Sequence, residues 1–150
     1  MASDTEIDVL RMTRAVPAPP SIVFAAFSEA TELAKWWGPA GFTVPSLVFE
    51  PRVGSSYRIE MQPPQGDAFH LTGLFREVDP PARLVFTFSW EPPDPDDVET
   101  LADLSFRDLG DSTEVRLSQV GFRTAERREV HRAGWSESLD RLERLLAEPT

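Results

Sequence analysis

Successive stretches of the chain alternate apolar and polar residues with a period of two, and nothing else in the sequence restricts the fold as much. Tyr57, Ile59 and Met61 alternate with Arg58 and Glu60, and Leu84, Phe86, Phe88 and Trp90 with Thr87 and Ser89. Ala102, Leu104 and Phe106 alternate with Asp103, Ser105 and Arg107, and Val115 and Leu117 with Glu114, Arg116 and Ser118. Neighbouring side chains of a strand point to opposite faces, so each stretch reads as a half-buried strand with one apolar face. Turn-forming clusters punctuate them: Pro63-Pro64-Gln65-Gly66, Asp79-Pro80-Pro81, the run 91–97 and Leu109-Gly110-Asp111-Ser112.

The stretch 68–78 is ambiguous, because Phe69, Leu71 and Phe75 share one parity and Leu74 and Val78 the other. A hairpin closing Gln62 against Ala68 resolves it. That register sets Met61, Ile59 and Tyr57 opposite Phe69, Leu71 and Gly73, and puts Glu60 with His70 on the outer face. The last hairpin passes the same test, pairing Asp108 with Thr113, Phe106 with Val115 and Leu104 with Leu117.

Two short helices precede the sheet. Pro19-Pro20 suits a first helical turn, followed by Val23, Phe24 and Phe27 at helical spacing. A second helix starts near Thr31 as cap and stops at Gly38, which can take the left-handed position, before Pro39. Leu33, Trp36 and Trp37 are spaced i, i+3 and i+4, so one indole points inward with Leu33. The other, about 100° around the axis, borders that face. The final element, 124–147, is a helix of roughly 35 Å at about 1.5 Å per residue. His131, Trp135, Ser138, Leu139, Leu142, Leu145 and Leu146 form its apolar stripe, with Glu137–Arg141 and Asp140–Arg144 as exposed i,i+4 pairs.

This order of elements resembles the START-like (SRPBCC, helix-grip) superfamily, and more narrowly the homologues of the activator of heat-shock-protein ATPase. The matching residues are Val16-Pro17-Ala18-Pro19 leading into Val23-Phe24 and Phe27; Leu33 with Trp36-Trp37-Gly38-Pro39; Arg52-Val53-Gly54; Asp79-Pro80-Pro81 before Leu84-Val85-Phe86-Thr87; and Gly134-Trp135, Ser138-Leu139 and Leu142. They extend from Ile7 to Leu146. Where the family pattern often has two glycines after the basic residue, this chain has Val53-Gly54. The resemblance implies one α+β domain over 1–150, a curved antiparallel sheet gripping the C-terminal helix with a cavity between them. Such domains include ligand carriers, receptors, cyclases and co-chaperones, so fold alone does not fix activity.

Composition excludes several classes. The chain has 25 acidic against 15 basic residues, a net charge of −10, which repels nucleic acid and anionic membranes. Much of the acid lies in 91–114, where Arg107 is the single basic residue, as a solubilising edge or a partner surface. The N-terminus carries no signal-like pattern and no run is long enough to span a bilayer, so a soluble, cytoplasmic protein, monomer or homodimer, is expected. Cysteine is absent, which removes disulfides, thiolate metal sites and cysteine nucleophiles. No hydrolase elbow, phosphate-binding loop, dinucleotide fingerprint or zinc-protease motif occurs, and no cofactor, metal site or catalytic residue is assigned.

The inward polar groups are few: Tyr57, Gln119, His131 and the indole nitrogens of Trp90 and Trp135. Such a sparse set suits the orientation of an apolar ligand. Candidate ligand-contacting residues are therefore Trp36, Trp37 and Phe42 around the second helix; Tyr57, Ile59, Met61, Phe69, Leu71, Phe75, Phe86, Phe88, Trp90, Leu104 and Gln119 on the sheet; and His131, Trp135 and Leu139 on the last helix. The same aromatics would serve equally as plain core. Three functions follow: binding of a small hydrophobic or aromatic molecule, a co-chaperone interaction, or a cyclase- or hydrolase-type enzyme using His131 or Tyr57. The chain leaves no room for the extra N-terminal domain expected of full-length eukaryotic activators.

Overall fold

A computed structural model describes residues 8–147, so Ile7, where the family resemblance begins, lies outside the described residues. Seven strands, β1 (Val9–Val16), β2 (Leu47–Val48), β3 (Ser56–Met61), β4 (Phe69–Asp79), β5 (Arg83–Glu91), β6 (Thr100–Asp108) and β7 (Thr113–Val120), form one sheet in the order β1-β7-β6-β5-β4-β3-β2. Every pairing in it is antiparallel. Helices α1 (Pro20–Ser28) and α2 (Ala30–Leu33) follow β1, and the long α3 (Ala125–Ala147) ends the chain. This is the α+β helix-grip arrangement that the family resemblance implies, with strands where the alternating pattern places them and the long helix at the end.

The predicted registers are observed. Tyr57 pairs with Gly73, Ile59 with Leu71, Glu60 with His70 and Met61 with Phe69. In the last hairpin Asp108 pairs with Thr113, Phe106 with Val115 and Leu104 with Leu117. The mixed parity of β4 has a local cause, a register shift between Phe75 and Glu77. One extra residue there returns Val78 to the apolar face opposite Leu84, while Leu74 stays on the outer face at 42% exposure. Beside the shift, Gly73 faces Tyr57 where a Cβ would collide with the Thr87 carbonyl oxygen and the Tyr57 ring. The short β2 and the Thr43–Gln62 bridge extend the sheet at its far edge, with too few residues to leave an alternating signature.

The start of α2 differs from expectation. Glu29, not Thr31, occupies the cap: the Leu33 N–H donates to the Glu29 carbonyl at 2.8 Å, so Thr31 is already inside the helix. Glu29 also ends α1, which leaves no spacer between the two helices. The helix also ends earlier than expected, at Leu33 with Ala34 as a right-handed cap, so Trp36 and Trp37 stand in the turn that follows it, where Gly38 is left-handed at φ 100°.

Helix α3 is capped by Thr124, whose Oγ1 accepts the Arg127 N–H at 3.1 Å. It buries His131, Trp135, Ser138, Leu139 and Leu142 against the inner face of the sheet. The expected pairs along its outer face are replaced by tertiary ones. Glu137 accepts the Ala40 N–H at 3.0 Å, and Arg141 Nη1 donates to the carbonyls of Trp37, Gly38 and Pro39 at 3.2, 3.0 and 3.1 Å. Asp140 pairs with Arg14 of β1 at 2.7 Å. These side chains fasten the helix to its neighbours because partners there offer better geometry than the next turn does.

Candidate ligand-binding cavity

Between the inner face of the sheet and the first half of α3 lies a cavity of about 430 Å³, within the range of small-molecule sites. Its walls come from four parts of the chain. The turn after α2 contributes Trp37, Gly38, Pro39 and Phe42; the β3–β4 hairpin Met61, Asp67, Ala68 and Phe69; β5 and the following loop Phe88, Trp90, Pro92 and Asp94; and α3 Arg127, Val130, His131, Gly134, Trp135 and Ser138. Gly38 permits close packing here, since a Cβ would sit 3.0 Å from Phe42 Cβ and 3.4 Å from Met61 Cε. Gly134 keeps space open on the helix side: a Cβ there would meet only Pro39 Cγ, at 3.9 Å.

The aromatic walls meet edge to face. Trp37 and Trp135 are 5.3 Å apart at 85°, Phe88 and Trp90 5.2 Å at 86°, and Phe69 and Trp90 5.4 Å at 70°. This is the preferred arrangement of aromatic quadrupoles and it fixes the ring orientations.

His131, 7% exposed, is held at both ring nitrogens. Trp90 Nε1 donates to His131 Nε2 at 2.9 Å, and Nδ1 lies 2.8 Å from the Arg127 carbonyl oxygen. An indole N–H can only donate, so Nε2 accepts and the proton resides on Nδ1. Burial holds the imidazole below its ordinary pKa, outweighing the bond to the Arg127 carbonyl. Trp135 Nε1 donates to Gln119 Oε1 at 2.8 Å, and Gln119 Nε2 passes the chain on to Thr100 Oγ1 at 2.8 Å. Tyr57 donates its hydroxyl to the Thr87 carbonyl at 2.6 Å, and burial, reinforced by Glu99, raises its pKa well above the usual phenol value. Arg127 bonds Asp97 at 2.7 Å, tying the loop after β5 to the start of α3. Among the described residues, no cluster of histidine and carboxylate side chains could hold a metal ion.

A family profile described as activator of Hsp90 ATPase homolog 1-like protein matches residues 17–147. The chain belongs to this family. Among solved structures, a Chromobacterium violaceum protein is 27% identical with a TM-score of 0.85, covering 95% of this chain and 99% of its own. A Silicibacter pomeroyi member of the same family is 27% identical with a TM-score of 0.82, covering 93% and 97%. A protein from the dynemicin biosynthetic locus shares the fold at 24% identity and a TM-score of 0.75, with 93% of this chain aligned to 47% of that one. No protein of curated function matches the chain.

In this activator-homologue domain the tryptophan pair divides its work. Trp36 is fully buried, donates Nε1 to the Ala26 carbonyl at 3.0 Å and packs on Phe27, whereas Trp37 forms cavity wall. Of the residues singled out from sequence, Trp37, Phe42, Met61, Phe69, Phe88, Trp90, His131 and Trp135 surround the cavity. Trp36, Tyr57, Ile59, Leu71, Phe75, Phe86, Leu104, Gln119 and Leu139 lie instead in the packed interior, outside the cavity wall, with Trp36 against Phe27 and Tyr57, Phe75 and Phe86 against one another. Parity selects a face of the sheet, and the cavity occupies one end of that face.

Sequence reading missed Asp67, Ala68, Pro92, Asp94, Arg127 and Val130. Loop residues such as Pro92 and Asp94 belong to no periodic pattern. Gly134 and Ser138 carried a usable signal, being small residues beside His131 and Trp135 on the inward stripe.

Proposed function

We propose that this domain binds a small hydrophobic or aromatic molecule, without catalysis, in the cavity between the sheet and α3. The observation that carries this reading is a space of about 430 Å³ walled by aromatic rings whose orientations are already fixed. Binding there needs little reorganisation, which favours affinity. The two groups that the sequence offered as acid or base are engaged: both nitrogens of His131 have partners, and the Tyr57 phenol is held neutral and bonded. A binder accounts for such a wall better than an enzyme does. A soluble, cytoplasmic setting belongs to the same reading.

The test is a thermal-shift series with aromatic probes of graded size on the whole domain. A ligand at about a hundred times its dissociation constant adds about 2.7 kcal/mol to stability. Ser138→Phe, which fills the cavity from the helix side, should abolish the shift while leaving a cooperative melt. A shift that survived this filling would place binding elsewhere and remove the proposal.

A co-chaperone role is the second reading, favoured by the family's description as activator homologues. Its measurable form is stimulation of an Hsp90 ATPase by the purified domain. An unchanged ATPase rate at saturating domain would eliminate it.

A further inference from the structure

The buried polar groups of the cavity wall are engaged or shielded, with one exception. Trp90 donates to His131, whose other ring nitrogen meets the Arg127 carbonyl, Trp135 donates to Gln119, and the Arg127 guanidinium pairs with Asp97. The Trp37 indole N–H and the Arg127 Nε–H have no acceptor, but both are closed off even from a water-sized molecule, so neither is offered to a guest. Ser138 is the exception. It lines the cavity at 6% exposure, and its hydroxyl makes no hydrogen bond among the described residues. Among those residues, the two N–H groups just named are the only unpartnered polar atoms of non-exposed side chains that solvent cannot touch. The Ser138 hydroxyl is therefore within reach of a small molecule, and the space that this residue borders is the cavity.

In the free protein, solvent entering the cavity satisfies such a hydroxyl. A hydrocarbon that displaced it would leave the hydroxyl unpaired, whereas a guest with a suitably placed oxygen would restore the bond. A serine hydroxyl both donates and accepts, so it takes a phenol-type hydroxyl or a ketone-type carbonyl alike. Charge limits the choice to neutral oxygens. Arg127, the single cation of the wall, is already matched by Asp97 at 2.7 Å, and Asp67 and Asp94 add exposed carboxylates to the lining. An anion would meet them with no unmatched cation to offset the repulsion.

Resting on the reading that the cavity takes an apolar guest, we propose that Ser138 selects among such guests: the molecule bound is a neutral aromatic carrying an oxygen, hydroxyl or carbonyl, that hydrogen-bonds the Ser138 hydroxyl. The rings of Phe88, Trp90 and Trp135 surround the remainder of the molecule.

Four naphthalenes of similar size test this by calorimetry on the whole domain: naphthol, acetonaphthone, ethylnaphthalene and naphthoate. Comparing Ser138→Ala with the wild type, probe by probe, removes the differing hydrophobicity of the probes from the reading. The variant should weaken naphthol, acetonaphthone or both about tenfold, the increment of one neutral hydrogen bond, and leave ethylnaphthalene bound as tightly or more so. Which of the two loses affinity tells hydroxyl from carbonyl. Naphthoate should bind the wild type more weakly than the better of the two. If the alanine variant fails to fold, Ser138→Cys, close in volume and only a weak donor, takes its place and should show a loss in the same direction. Unchanged affinity for both neutral oxygen-bearing probes, an equal loss for ethylnaphthalene, or tightest binding of naphthoate would overturn this inference while leaving apolar binding intact. Failure of every probe to bind would overturn the apolar-cavity reading and this inference with it.

Discussion

His131 shows how a polar side chain is made part of a wall. Its neutral tautomer accepts from Trp90 and donates toward Arg127, so a second proton would set an N–H against the Trp90 N–H. Its folded pKa lies below that of the unfolded chain, chiefly through burial. The unfolded state therefore takes up the proton first as pH falls. The stability contributed by this group is complete above about pH 6.5 and declines as pH drops below it. A thermal-melt series from pH 8 to pH 5 should show that decline, and His131→Gln should flatten it. Trp135 supports the same wall from the next turn of α3. Trp135→Ala should cost about 3 kcal/mol in chemical denaturation, through the void it leaves and the Gln119 acceptor it strands. That His131, Gln119 and Trp135 face inward was legible in the sequence, from parity and helical spacing. Their pairing was not, because each hydrogen bond joins segments whose separation is set by the bend of the sheet.

Helix α3 is fixed less by its own propensity than by what its side chains reach. Arg141 holds three consecutive carbonyls of the turn after α2, of which that of Pro39 also accepts the Phe42 N–H. Arg141→Met keeps the aliphatic stem and removes the donors. It should lower stability by about 2 kcal/mol, the range for bonds made by a charged group, and hydrogen exchange around 37–39 should quicken. Gly134 is the opposite case, a residue whose lack of a side chain costs the helix without relieving any clash. Gly134→Ala should stabilise the domain by about 0.5–1 kcal/mol, because its methyl meets only Pro39, and a lowered melting temperature would mean that the backbone there is not free to accept it. The hairpin strands β3–β4 and β6–β7 and their registers were readable because apolar residues alternate along them. The cap at Glu29 and the outward partners of Glu137 and Arg141 were not, since local patterns such as Thr31 or an i,i+4 spacing compete with tertiary partners that sequence distance hides.

The whole domain reads as a half-closed hand of sheet around a rod, filled tightly at one end and left open at the other. Aromatic residues on identical parities serve both ends: Phe86 and Leu104 pack in the interior while Phe88 and Trp90 stand around open space. Which end is hollow depends on the Gly38 turn and the loop that Arg127 holds through Asp97, neither of which has a periodic signature. The order of strands has a consequence for biosynthesis. Strand β1, made first, has β7 as its sole sheet neighbour. While the polypeptide is still being translated, Leu10 and Val16 thus wait without a partner until the final hairpin leaves the ribosome. Nascent chains stalled before Thr113 should be cleaved readily within Val9–Val16 by a probing protease, and chains stalled far enough beyond Ala147 for release of α3 should resist it.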